Sequence, residues 1–181
     1  DKTIKGIFSA IGGEDSIRIL PHIDYDVIRN NPKIFMGYSD TTVSHFILHK
    51  AGLISYYGPS VMCSFGEYVK MFDYTKEAVK KILFENSENY CVKSSEYWSN
   101  DYVFWNEENI NVQRKLTKEE HGYEVISGKG KITGQLLGGC IDVIPMLLET
   151  EIWLKADDWK DKILLIETSE EKITPNFLTY Y

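Results

Sequence analysis

A chain of 181 residues that is 43% hydrophobic and 13% aromatic holds enough apolar material for one large domain or two small ones. Its net charge of −7 argues against nucleic-acid polymers, whose phosphates call for clustered lysine and arginine, but leaves room for a single nucleotide held in a pocket. No run of about 18 apolar residues and no secretion-leader pattern is visible, so neither a membrane span nor export is expected. Cys63, Cys91 and Cys140 are odd in number, far apart and in no metal-ligand spacing, and read as reduced thiols of a cytoplasmic protein.

In chain order, Ile4 to Ile11 predicts a strand running into Gly12-Gly13, and Glu14 to Leu20 a short helix. Pro32 opens a second strand, Lys33 to Met36, which meets Gly37-Tyr38-Ser39-Asp40. Thr41 to Ala51 fits an amphipathic helix with Val43, Phe46, Ile47 and Ala51 on one face and Gly52 as its stop. Leu53 to Tyr57 follows as a third strand, closed by Gly58-Pro59, and Tyr74 to Glu85 as another helix. Asn86 to Lys131 is polar and aromatic without a sustained period and reads as a linker with long inserted loops. Lys131 to Leu137 predicts a strand ending at Gly138-Gly139, then a helix around Ile141 to Leu148, then a strongly apolar strand, Lys162 to Ile166, ending at Glu167. Alternating strands and helices argue an α/β unit with a largely parallel sheet. Residue 1 is Asp, Thr3 to Ala10 already reads as strand, and Asn176 to Tyr181 reads as the opening of a helix; both ends look cut, which predicts a fragment.

Ser39 sits between an apolar strand and an amphipathic helix, with a glycine two residues before it, as a nucleophile elbow requires. The closing glycine of G-x-S-x-G is absent, since position 41 is Thr, and a helix N-cap serine fits the same place. Gly12-Gly13 offers unshielded N–H groups for an oxyanion, or forms an ordinary strand-to-helix turn. Gly138-Gly139 fits close strand–helix packing or backbone approach to a substrate. Glu167 ends the most apolar strand, where open α/β sheets carry their sites; there it serves either as a triad acid or as an acidic residue near a helix start with Glu170 and Glu171. His45 and His49 have helical metal-ligand spacing, but Phe46 stands where H-E-x-x-H has its acid, so surface or half-buried histidines are the expectation. Gly128-Lys129-Gly130-Lys131 lacks the P-loop spacing and reads as a hairpin turn. Trp98 and Trp105 suit stacking on a base, or pinning of a loop to the body.

Three blocks stand in a fixed order: Ile11-Gly12-Gly13-Glu14-Asp15-Ser16, Pro21-His22-Ile23-Asp24-Tyr25, and Asn31-Pro32-Lys33-Ile34-Phe35-Met36-Gly37-Tyr38-Ser39-Asp40-Thr41-Thr42. Downstream come Gly134-Gln135-Leu136-Leu137-Gly138-Gly139-Cys140 and Leu164-Leu165-Ile166-Glu167-Thr168-Ser169-Glu170-Glu171. Together they resemble the LD-carboxypeptidase family of serine peptidases. The resemblance implies a Ser-Glu-His triad with Ser39 as nucleophile, Glu167 as acid, and oxyanion donors at the Gly13 and Asp40 N–H groups. It places the triad histidine downstream of this chain, in the position of none of His22, His45, His49 or His121, and predicts that the fragment alone is inactive. The long segment with Trp98 and Trp105 is more like the microcin C immunity group, whose tryptophans stack on a nucleotide, than like the cell-wall enzymes.

The expected fold is a Rossmann-like or flavodoxin-like N-terminal domain over 1–86, its first strand and helix missing. A linker with inserted loops over 87–131 and the start of a smaller swivelling α/β C-terminal domain over 132–181 follow. The expected activity is serine carboxypeptidase cleavage of a peptide or a peptidyl- or aminoacyl-nucleotide, without metal or cofactor. Gly12, Trp98, Trp105 and Gly139 are assigned to substrate binding, and the family resemblance implies a homodimer. Murein tetrapeptide hydrolysis, a non-catalytic binding module and a metal site at His45 and His49 are the alternatives.

Overall fold

The computed structural model describes residues 1–85 and 89–169. The helix opening expected at Asn176 to Tyr181, and Glu170 and Glu171, lie outside the described residues. The chain divides into two compact units, one made of Asp1–Val61 with Ile132–Tyr181, the other of Met62–Lys131. The fold is mixed α/β with parallel pairing, as the alternation of elements predicted.

In the first unit, β1 (Gly6–Phe8), β2 (Ile34–Gly37) and β3 (Tyr56–Tyr57) form a parallel sheet in that order. β1 and β3 are shorter than the runs that predicted them, while β2 keeps its four residues, displaced by one. The run Glu14 to Leu20 forms a 3₁₀ turn, Ser16–His22, with Pro21 inside it; proline has no N–H for a continuing helical ladder. One helix was not expected: α1 (Tyr25–Asn30), capped by Asp24, whose Oδ1 accepts from the N–H groups of Asp26 and Val27 at 3.0 and 2.9 Å.

The central helix α2 (Thr42–Lys50) buries the predicted face: Val43, Phe46, Ile47 and Ala51 are all at most 4% exposed. It stops where expected, at Gly52, whose φ of +80° suits the left-handed end of a helix. A second parallel sheet joins β6 (Gln135–Cys140) to β7 (Lys162–Glu167). Gly138-Gly139 does not end β6, as expected, but runs on inside it, opposite Leu165 and Ile166. A Cβ on Gly138 would stand 1.9 Å from the Leu165 carbonyl oxygen, so the two backbones meet at a distance only glycine permits. The expected helix after it is only a 3₁₀ turn, Ile144–Leu147, opened by Pro145. Phe46, Val43 and Ile47 pack with Cys140, Val143, Leu147 and Ile152 into one core, which joins α2 to the end of β6 and the segment that follows it.

The second unit contains α3 (Asp73–Leu83) and an antiparallel pair of two-residue strands, β4 (Tyr97–Trp98) and β5 (Thr117–Lys118), too short to leave a period. Glu67, its side chain 5% exposed, meets Arg114 at 2.9 Å. The expected hairpin turn at Gly128 to Lys131 is not one: no paired strands flank it, and Gly128 and Gly130 simply take positive φ in an exposed connection. Among the described residues no helix is long and apolar enough to cross a membrane.

Candidate active site

β2 delivers the chain to Ser39 at the C-terminal edge of the three-stranded parallel sheet. Ser39 has φ +58°, in the left-handed region that non-glycine residues seldom occupy, at a strain of about 1–3 kcal/mol. A 3₁₀ turn, Ser39–Thr41, leads from it into α2. Its N-cap falls on Tyr38, so Ser39 is not the capping serine that its place before a helix also allowed. Gly37 is needed for space: a Cβ there would lie 2.5 Å from Ser9 Oγ and 2.7 Å from Thr41 Oγ1.

The Gly12-Gly13 loop lies against this bend. A Cβ on Gly12 would stand 2.9 Å from both Cβ and Oγ of Ser39, and one on Gly13 would stand 3.3 Å from Asp40 Oδ2. That carboxylate oxygen accepts from the N–H and the hydroxyl of Ser16 at 3.0 and 2.7 Å. A side chain on the elbow thereby anchors the loop carrying the two glycines. Thr41 N–H makes the turn's bond to Tyr38 O, so the Asp40 N–H, one residue earlier, precedes the first helical hydrogen bond.

The carboxylate of Glu167, at the end of β7, reaches the same place through a residue that the sequence reading missed. Tyr57 Oη accepts the Ser39 N–H at 2.8 Å and donates to Glu167 Oε1 at 2.5 Å. Burial and the Glu167 carboxylate both push the Tyr57 phenol above its ordinary value and keep it protonated. The one sequence signal for Tyr57 is a tyrosine at the C-terminal end of a strand just before Gly58-Pro59. Thr42 secures the other side: its hydroxyl donates to Ser39 O at 2.7 Å and accepts the Cys140 N–H at 2.9 Å. Gly139 makes that contact possible, since a Cβ there would lie 2.6 Å from Thr42 Oγ1. Burial raises the Cys140 thiol to about 12, which keeps it a neutral core group.

His45 is buried, where a surface or half-buried histidine was expected. Its Nδ1 pairs with Ser55 Oγ at 2.7 Å and its Nε2 with Gly37 O at 3.0 Å. The carbonyl can only accept, so Nε2 carries the proton, Nδ1 accepts from Ser55, and both nitrogens are engaged. Burial holds its pKa below the ordinary value. Among the described residues no group of three His, Cys, Asp or Glu side chains could hold a metal ion.

Trp98 and Trp105 belong to the second unit and are 45% and 53% exposed. Trp98 lines a cavity of about 750 Å³ together with α3 residues and Tyr90. Trp105 lies with its ring centroid 6.1 Å from that of Tyr68.

Comparison with known proteins matches the LD-carboxypeptidase N-terminal domain at residues 1–58 and the LD-carboxypeptidase C-terminal domain at residues 133–178. The chain is 38% identical to the microcin C7 self-immunity protein MccF of Escherichia coli over 174 residues, which cover 92% of this chain and 48% of that protein. It is similar to the crystal structure of an MccF-like protein from Streptococcus pneumoniae in complex with AMP, with a TM-score of 0.85 and 29% identity over 97% of this chain and 56% of that one. It is also similar to MccF in complex with glutamyl sulfamoyl guanosine, with a TM-score of 0.78 and 36% identity over 93% of this chain and 49% of that one. The chain thus spans about half the length of the curated relatives it matches.

Proposed function

The chain belongs to the LD-carboxypeptidase family, and from that premise we propose that its protein is a serine carboxypeptidase with Ser39 as nucleophile. The observation that carries this reading is Ser39 itself, held at φ +58° between strand and helix, with Gly12 against its side chain and Glu167 one tyrosine away. In the proposed reaction Ser39 Oγ attacks the carbonyl of a C-terminal amide, and a histidine outside residues 1–181 takes the hydroxyl proton. Glu167 holds that imidazole in its working tautomer and stabilises its charged form. The oxyanion of the tetrahedral intermediate rests on the Gly13 and Asp40 N–H groups, because Tyr57 engages that of Ser39. Collapse of the intermediate expels the amine, which takes the proton back from the imidazole, and water then releases the acyl group by the same route. No step requires a metal or a cofactor.

For the substrate we propose a peptidyl- or aminoacyl-nucleotide. The similarity to MccF proteins in complex with AMP and with an aminoacyl sulfamoyl nucleoside supports it, as do the exposed Trp98 and Trp105, suited to stacking on a base. Three unpaired cysteines fit a reducing, cytoplasmic setting, and the family resemblance adds homodimeric assembly. The test is hydrolysis of aspartyl sulfamoyl adenosine and of an LD-tetrapeptide by the protein containing this chain, beside its Ser39→Ala variant. Nucleotide cleavage abolished in the variant is the expected result. Cleavage of the tetrapeptide alone replaces the nucleotide with murein, and undiminished turnover in the variant rejects Ser39.

A further inference from the structure

We infer that Tyr57 is a positioning residue for the reaction, joining the nucleophile's backbone to the triad acid through one hydroxyl. The inference rests on the serine-peptidase reading of Ser39 and Glu167. The direction of both bonds follows from chemistry. The Ser39 amide can only donate, so the phenol oxygen accepts at 2.8 Å and has its own proton left for Glu167 Oε1 at 2.5 Å. A bond to a carboxylate is of the stronger, charge-assisted kind.

Two consequences follow for the site. Ser39 occupies a strained backbone region, which persists only where the surroundings over-determine it. Tyr57 supplies part of that determination by fixing where the Ser39 N–H points, while Thr42 fixes its carbonyl. On the other side, Glu167 stands at the end of β7, in a different sheet from Tyr57 and 110 positions from it in sequence. The phenol blocks free rotation of its carboxylate, so an arriving imidazole N–H meets an acceptor already oriented and loses less freedom on docking. The Tyr57 ring is itself held: His45 lies beside it, centroids 5.2 Å apart and tilted by 44°. A phenylalanine would keep this packing and lose both hydroxyl bonds.

Tyr57→Phe in the protein containing this chain is therefore compared with the unaltered protein and with Ser39→Ala for the rate of labelling by a fluorophosphonate. Expected is a fall in the maximal labelling rate of roughly ten- to a hundred-fold, with the concentration for half-maximal rate held within about twofold. An unchanged maximal rate in Tyr57→Phe, with Ser39→Ala unlabelled, overturns the inference and leaves the serine reading standing. Full labelling of Ser39→Ala overturns both. If Tyr57→Phe does not fold, ring ¹³C titration of Tyr57 decides: Glu167→Gln lowers the pH at which the phenol ionises, and an ionisation indifferent to that change overturns the inference.

Discussion

The Asp40 carboxylate holds Ser16 by two hydrogen bonds to one oxygen, from the N–H at 3.0 Å and from the hydroxyl at 2.7 Å. Asp40 is 3% exposed and directly follows the elbow serine, so the elbow and the Gly12-Gly13 loop are one mechanical piece. Ser16→Ala removes the hydroxyl bond to a charged acceptor and is expected to cost about 1.5–3 kcal/mol in denaturant unfolding. Fluorophosphonate labelling of Ser39 should slow in parallel, because the loop carrying Gly13 loses its anchor.

Gly12→Ala tests the space beside Ser39, the proposed nucleophile. The added Cβ would meet Ser39 Cβ and Oγ at 2.9 Å, closer than side-chain carbons tolerate. The expected outcome is a loss of labelling rate of about a hundred-fold, the usual effect of misplacing a reacting atom by about 1 Å. The thermal midpoint should move much less, since the clash displaces one exposed loop and not the core.

Gly138→Ala addresses the fold and not the chemistry. Its Cβ would fall 1.9 Å from the carbonyl oxygen of Leu165, a backbone atom that cannot swing aside, at a φ of +142°. Parallel pairing of β6 with β7 would have to open. A loss of about 3 kcal/mol or more is expected from strain and overpacking together, read as a shift in the denaturant midpoint.

His45 makes stability depend on pH in a defined direction. Its folded-state pKa lies below the ordinary 6.5, chiefly because burial disfavours the charged imidazole. Above about pH 6.5 both folded and unfolded states hold it neutral and its contribution is whole. As pH falls below that value the unfolded chain takes up the proton first, so stability declines toward the folded-state pKa and the slope then ends. Comparing unfolding midpoints at about pH 7.5 and 5, His45→Gln should show a flatter dependence than the unaltered protein; an equal slope would assign the effect to other groups.

Sequence alone determined the face of α2, its stop at Gly52, the parallel α/β alternation and the family, because each is written in local periodicity, turn residues or ordered blocks of residues. It did not yield α1 or the short β4–β5 pair, whose few residues leave no period to read. Nor did it show that Gly138-Gly139 continues a strand, since the signal for turn and for close backbone approach is the same pair of letters. Which polar groups meet was decided only by tertiary structure. Tyr57 joins Ser39 to Glu167, and Cys140 reaches Thr42, because the ends of strands distant in sequence meet at the start of one helix. A hydroxyl's partners depend on that closure, and no spacing along the chain encodes it.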